Sequence, residues 1–309
     1  MSTNRILPIG FYDLNSIESK KNYEFTKHAV DNFLNNGYEL IKTSIAEFVD
    51  GFNEKEIENV FRVIDPISKK NIFFRNDITV QIAKYVASNF EAQYQTPLKL
   101  CYYGDIINLN SDELYYERQQ TQVGCEIIGD NSLKSCYEVI NDTLNVLKNI
   151  KNISITITLP DFLNIFLATI KNSTNSVLKD AIINKRISDI KKYGGNFSEI
   201  IAEIILNNTN FDLLSSKIQN IFTNIDLNQQ LENARELMFF LQKNFPSLSI
   251  NFDLFGDNKF SYHNKIAFDI FVDNFPYPLA KGGCYSIARK DEILNSVGST
   301  IYINFLRKI

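Results

Sequence analysis

The chain has 309 residues, 32 basic against 36 acidic side chains and a formal charge of −4; it is long enough for a large core in one large or two ordinary domains. A pI of about 5.4 argues against the broad basic footprint that neutralising phosphates requires, so a nucleic-acid partner is not expected. Four cysteines without CxxC or CxxH spacing and only two histidines predict buried thiols in a reducing compartment and no metal or other cofactor.

In chain order, MSTNRILPIGFYDL has no apolar core between a basic start and a cleavage site, and no apolar run approaches the ~18 residues of a membrane span, so a cytoplasmic chain off the membrane is expected. Asn15 and Glu18 read as a capping box opening a helix, with Phe25, Ala29 and Phe33 recurring at four-residue spacing and Asn35-Asn36-Gly37 as its stop. Strands are predicted at Glu39 to Thr43, Val60 to Ile64 and Ile72 to Arg75, then a helix from Ile78 to Asn89. A hairpin follows, Leu98 to Ile107 and Gln120 to Ile128, with the Asn108 to Glu117 loop between its arms. Leu133, Tyr137, Ile140, Leu144 and Leu147 form a helical stripe, and Ile153, Ile155, Ile157 and Leu159 alternate as a strand.

Between Pro160 and Asn244 helical stripes such as Ile200, Ile201, Ile204 and Ile205 are separated by loops rich in Asn, Ser and Gly. Strand character returns at Ser249 to Phe255, Phe260 to Val272 and Gly282 to Ala288, and these segments must rejoin the first sheet. The expected fold is α+β: one discontinuous domain, 1–159 and 246–309, interrupted by a helical insertion at 160–245.

The strand from Thr121 carries the strongest chemical signal. Period two places Gln122, Gly124 and Glu126 on one face and Thr121, Val123, Cys125 and Ile127 on the other. Gly124 leaves a gap between an amide and a carboxylate, suited to a small ligand whose ammonium or imidazole meets Glu126. An edge strand with a solvated polar face explains the same alternation.

CYYGDII, a polar loop and RQQTQVGCEIIG together resemble the second signature motif of class II aminoacyl-tRNA synthetases in its histidyl form. LPIGFYDL, GYELIKTSIAEF, FFRNDITVQIAKYVA, FSYHNKIAFDIFV and LAKGGCY fall in that family's order and extend the resemblance over nearly the whole chain. The departures are specific. The resemblance implies an arginine on the ATP α-phosphate where this chain has Asn108, and a second where it has Phe305; Ser44 replaces a proline and Asn258 an arginine. Each lost cation or donor aimed at developing phosphate charge costs roughly 10² to 10³ in rate, so no amino-acid activation and no catalytic residue is expected. The chain ends almost directly after the third motif, so an anticodon-binding domain is not expected.

Carried over by resemblance, the histidine-binding residues are Asp77, Thr79, Gln122, Glu126, Tyr262 and His263, with Arg118, Gly124, Gly282 and Gly283 as further pocket positions. Each also has a structural reading. Asp77 suits a helix N-cap, Tyr262 and His263 suit a strand core, and Arg118 can pair with Glu117 or Glu113 in solvent. Gly282-Gly283 suits any tight turn between strands, and Lys265 would narrow or re-charge the pocket.

A synthetase core that keeps an amino-acid pocket and loses the phosphate arginines closely resembles the histidyl-tRNA-synthetase-like regulatory subunits of ATP phosphoribosyltransferase. That resemblance implies a non-catalytic chain that partners a short-form catalytic subunit, takes histidine as effector and pairs with itself through a synthetase-type dimer contact. A diverged synthetase-like ligase or a pseudo-synthetase binding module is the alternative.

Overall fold

The computed structural model describes residues 7–52, 57, 59–89, 97–109, 117–172, 175–207, 210–256, 263–289 and 292–306. Helix α1 (Ser16–Asn35) opens as its caps dictate: Asn15 Oδ1 accepts from the Ile17 and Glu18 amides at 3.0 Å, and the Glu18 carboxylate accepts from Asn15 N at 3.1 Å. It stops at Asn35, and Gly37 follows at φ +83°, a left-handed conformation that favours glycine.

Strands β1 (Glu39–Ile41), β2 (Ala46–Phe48), β3 (Phe61–Ile64) and β4 (Asn71–Phe74) precede helix α2 (Ile78–Asn89). The hairpin β5 (Leu98–Ile107) and β6 (Gln119–Ile128) leads to α3 (Leu133–Val146) and β7 (Ile153–Thr158). Helices α4 (Phe162–Thr169), α5 (Ser176–Ile183), α6 (Ile187–Tyr193), α7 (Ser198–Leu206), α8 (Phe211–Ile221) and α9 (Ile225–Asn244) follow. The chain then runs through β8 (Ser249–Asp253), β9 (His263–Val272), β10 (Ala280–Arg289), β11 (Glu292–Tyr302) and the short α10 (Ile303–Leu306).

Eight strands join in the order β1-β5-β6-β11-β10-β9-β7-β8, and β2-β4-β3 form a separate small sheet. Pairing in the large sheet is antiparallel except at the ends, where β1 lies parallel to β5 and β7 parallel to β8. The chain leaves the sheet after β7 and re-enters beside it at β8, so the α4 to α9 helices bridge two adjacent parallel strands.

The two faces of the sheet bury different clusters. On one, Val123, Cys125 and Ile127 of β6 pack with Phe33 of α1, Val139 of α3 and the helices from α4 to α9. On the other, Ile78, Ile82 and Val86 of α2 cover Leu100, Tyr102 and Ile128. Strand β6 is therefore internal on both counts, and the solvated-edge reading of its polar face does not hold.

Three local expectations change. The strand expected to reach Phe255 ends at Asp253, because Leu254 and Phe255 turn into the core, where the Phe255 ring meets Phe162 and Phe166 at 5.8 and 5.2 Å. Gly282 and Gly283 do not form a turn; they lie inside β10, paired to both β9 and β11. Lys265 sits in the irregularity of β9 opposite Gly283 and Cys284, at φ +55°, and its Nζ donates to Asn131 Oδ1 at 2.8 Å rather than entering a pocket.

All four cysteines are free and buried. Cys284 faces α3 with its Sγ 3.1 Å from that of Cys136, and burial pushes the Cys101 thiol up to about 11. No helix among the described residues is long and apolar enough to cross a membrane.

Candidate ligand site

The register of the sheet assembles the site. One row across the strands reads Asp269 on β9, Lys281 on β10, Thr300 on β11, Gly124 on β6 and Tyr102 on β5. The neighbouring rows contribute Gly298 opposite Glu126 and Tyr302 opposite Gln122. Because side chains alternate along each strand, Gln122, Gly124 and Glu126 meet Gly298, Thr300 and Tyr302 on one face, beneath the N-terminus of α2.

Glu126 is fully buried at the centre. Thr79 Oγ1 donates to its Oε1 at 2.8 Å and the Tyr285 hydroxyl to its Oε2 at 2.7 Å. Burial pushes the carboxyl up to about 8; those two hydrogen bonds pull the other way, and the charge of Asp77 adds to the rise. Tyr102 and Tyr285 are held well above the usual phenol range by the same burial, so both remain O–H donors. The Tyr102 hydroxyl bridges Thr79 Oγ1 at 3.1 Å and Thr300 Oγ1 at 2.6 Å.

The sequence-derived residues separate into three groups. Asp77, Thr79 and Glu126 line a common recess of about 20 Å³, room for a single water. It shares Asp77, Thr79, Lys281, Tyr285 and Tyr302 with a wide cleft of about 810 Å³ under α2, so the recess is the inner end of that cleft. Asp77 also caps α2, its Oδ1 accepting from Thr79 N at 3.2 Å, so the cap and a place on the recess wall coexist in one residue.

Gln122 lines the cleft, and Gly124 lies in the row beside it on the same face. The Gln122 side-chain oxygen accepts from the Ile78 amide at 3.2 Å and serves the first turn of α2. The space over Gly124 belongs to Tyr102: a Cβ there would lie 2.3 Å from the Tyr102 hydroxyl and 2.3 Å from the Ser299 carbonyl. The gap in the polar face therefore admits a phenol of the neighbouring strand.

Gly282 also lines the recess, where a Cβ would come within 2.4 Å of the Phe268 ring and 2.5 Å of the Gly298 carbonyl. Arg118 stands away from both cavities, its guanidinium carbon 4.1 Å from the Phe61 ring centroid and its donors on the Asn108 and Ile9 carbonyls at 3.3 and 3.4 Å. It joins the N-terminal segment to the hairpin; Glu113, one of its two expected partners, lies outside the described residues. His263 opens β9 opposite Tyr285 in register, and Tyr262 lies outside the described residues.

Residues that strand spacing alone did not single out complete the site: Tyr285, Gly298, Thr300, Tyr302 and Lys281. Gly298, Thr300 and Tyr302 alternate in SVGSTIY, a period-two signal of the same kind as that of β6.

The histidyl-tRNA synthetase family profile matches residues 10–306. The chain belongs to the histidyl-tRNA synthetase family. Among its relatives is a protein of Paramagnetospirillum magneticum named ATP phosphoribosyltransferase regulatory subunit, 25% identical over 293 residues, 92% of this chain and 77% of that one. Among solved structures, an ATP phosphoribosyltransferase regulatory subunit/histidyl-tRNA synthetase from Bacillus halodurans superposes with a TM-score of 0.85 at 18% identity, over 100% of this chain and 83% of that one. A chain of the ATP phosphoribosyl transferase (HisG:HisZ) complex from Thermotoga maritima gives 0.71 at 16% identity, covering 94% and 98%.

In this member of the histidyl-tRNA synthetase family Asn108 and Phe305 both line the cleft, presenting an amide and a phenyl ring to it. Arg75 also lines it, but its guanidinium is held by the chain itself. Nε donates to the Asp105 carbonyl at 2.7 Å, and Nη1 to the Thr43 carbonyl and hydroxyl at 3.1 and 2.9 Å. Those bonds tie the end of β4 to β5 and to the segment after β1, and they fix the guanidinium in place.

Proposed function

We propose that this chain is the non-catalytic regulatory subunit of an ATP phosphoribosyltransferase, required for the activity of a short-form catalytic subunit and carrying the site through which histidine controls it. The observation that bears most weight is the contrast between two neighbouring places. The recess keeps a buried carboxyl, a helix-capping aspartate and hydroxyl donors suited to a small polar ligand. The adjoining cleft is lined by the uncharged Asn108 and Phe305, where the resemblance implies phosphate-binding arginines, and it holds Arg75 on backbone carbonyls. Adenylate chemistry needs preorganised cations on phosphate; ligand sensing does not. The regulatory-subunit names of the relatives agree with this reading.

Control by histidine requires that the active and inhibited assemblies differ in histidine affinity, since a ligand that binds both equally shifts nothing. A coupling of about 1 to 3 kcal/mol suffices. Self-association through the synthetase-type contact would supply a symmetric core for the hetero-oligomer, and the reducing cytoplasm is its proposed compartment.

The test is reconstitution. Mixed with a short-form ATP phosphoribosyltransferase, the chain is expected to co-elute with it in size-exclusion chromatography, raise its turnover and confer inhibition by histidine. Failure to associate, or association without any change in turnover, rejects the proposal. Amino-acid-dependent exchange of pyrophosphate into ATP by the pure chain would favour the ligase instead.

A further inference from the structure

Lys281 is a cation placed within a site otherwise built from acids and hydroxyls. Among the described residues that line the recess, its side chain is the one that carries positive charge, and it also lines the cleft outside. It is about a quarter exposed, and its Nζ lies 3.3 Å from Asp269 Oδ1, its cross-strand neighbour on β9. On β11 its neighbour is Thr300, whose hydroxyl holds Tyr102. Asp77 and Glu126 belong to the same recess.

We infer that Lys281 anchors the carboxylate of the bound effector, so that the recess and the inner cleft select a zwitterionic α-amino acid over the corresponding amine. This inference rests on the reading of the site as an amino-acid sensor and names the residue that recognises the amino acid as an acid. The charges are complementary in kind. The α-ammonium meets the Asp77 carboxylate at the start of α2, and a side-chain N–H meets Glu126. The α-carboxylate meets Lys281, whose ammonium has three donors and can hold Asp269 and a ligand oxygen together or exchange one for the other. The partly exposed ion pair with Asp269 contributes little to stability, and a purely structural role for Lys281 would leave ligand selectivity untouched.

Histidine and histamine, which differ by that carboxylate, are the probes, titrated by calorimetry into the full chain and its variants. Wild type is expected to prefer histidine by about tenfold or more, the usual scale of a charge-assisted hydrogen bond. Lys281→Met abolishes the preference by weakening histidine and leaving histamine where it was, while Lys281→Arg retains it. Asp269→Asn removes a resident partner and tightens histidine, which guards against a misfolded Met variant. Equal histidine affinity in wild type and Lys281→Met overturns the inference and leaves the sensor reading standing. If wild type binds another α-amino acid in place of histidine with the same dependence on Lys281, the anchor stands and histidine control falls; if it binds no amino acid, both fall.

Discussion

Glu126 is a carboxyl enclosed by hydroxyls, and its protonation is tied to folding. In an unfolded chain it titrates near the usual value of about 4.3; in the fold, burial raises it to about 8. Between those values the native state holds a proton that the unfolded state has lost, so stability falls as pH rises. The contribution is fully present below about pH 4.3 and is lost as pH passes through about 8. Replacing Glu126 with glutamine, a neutral analogue, should flatten the decline between pH 5 and 8, read as the difference between the urea midpoints of the two proteins. Parallel midpoints across that range would mean that Glu126 is ionised in the free protein. A ligand that brings a cation or a strong donor to Glu126 would draw that proton off, and its affinity would then depend on pH.

At the scale of elements the site is a matter of glycines facing large side chains across paired strands. A Cβ on Gly298 of β11 would overlap the Glu126 carboxyl, at 1.6 Å from Oε2, and Gly298 and Glu126 are register partners. Gly298→Ala must therefore displace the carboxyl or the strand. Overpacking of this kind costs about 1 to 3 kcal/mol, and urea unfolding with histidine titration should show both that loss and weaker binding. Unchanged stability and affinity would indicate that β11 shifts freely, contrary to its pairing on both sides. Much of this level was legible in the chain. The capping box at Asn15 and Glu18, the α2 span and the hairpin arms follow from nearest-neighbour chemistry and appear as read, because caps and periodicity depend on residues within one turn or one strand. The Gly282-Gly283 pair was misread as a turn for the complementary reason: two glycines signal close approach, and the sequence does not say whether the approaching group is a turn, a ligand or, as here, the Phe268 ring and the Gly298 carbonyl.

For the whole molecule, the bridging helices share the core of the sheet. Phe252 of β8 stacks on Phe211 of α8 with ring centroids 4.1 Å apart, and Phe162 and Phe166 of α4 enclose Phe255. One apolar cluster runs from α1 through the sheet to α9. Far-UV circular dichroism and tyrosine fluorescence, in a chain without tryptophan, should therefore report coincident urea transitions. Two separated transitions would mean that α4 to α9 fold as an independent unit. The cleft follows from this continuity: α2 covers one face of the sheet while the helical mass backs the other, and the cleft lies on the α2 side.

By itself the sequence determined the α+β order of elements, the polar face of β6 and the uncharged side chains at Asn108 and Phe305, all properties of residue identity and local spacing. Only the tertiary structure decided what those residues meet. Gln122 serves the Ile78 amide 44 residues earlier, Tyr102 fills the gap over Gly124, and Lys281 arrives from a strand that reaches β6 only through β11. Strand periodicity assigns a side chain to a face; the partner across that face depends on strand order and register, which are set by packing between distant segments.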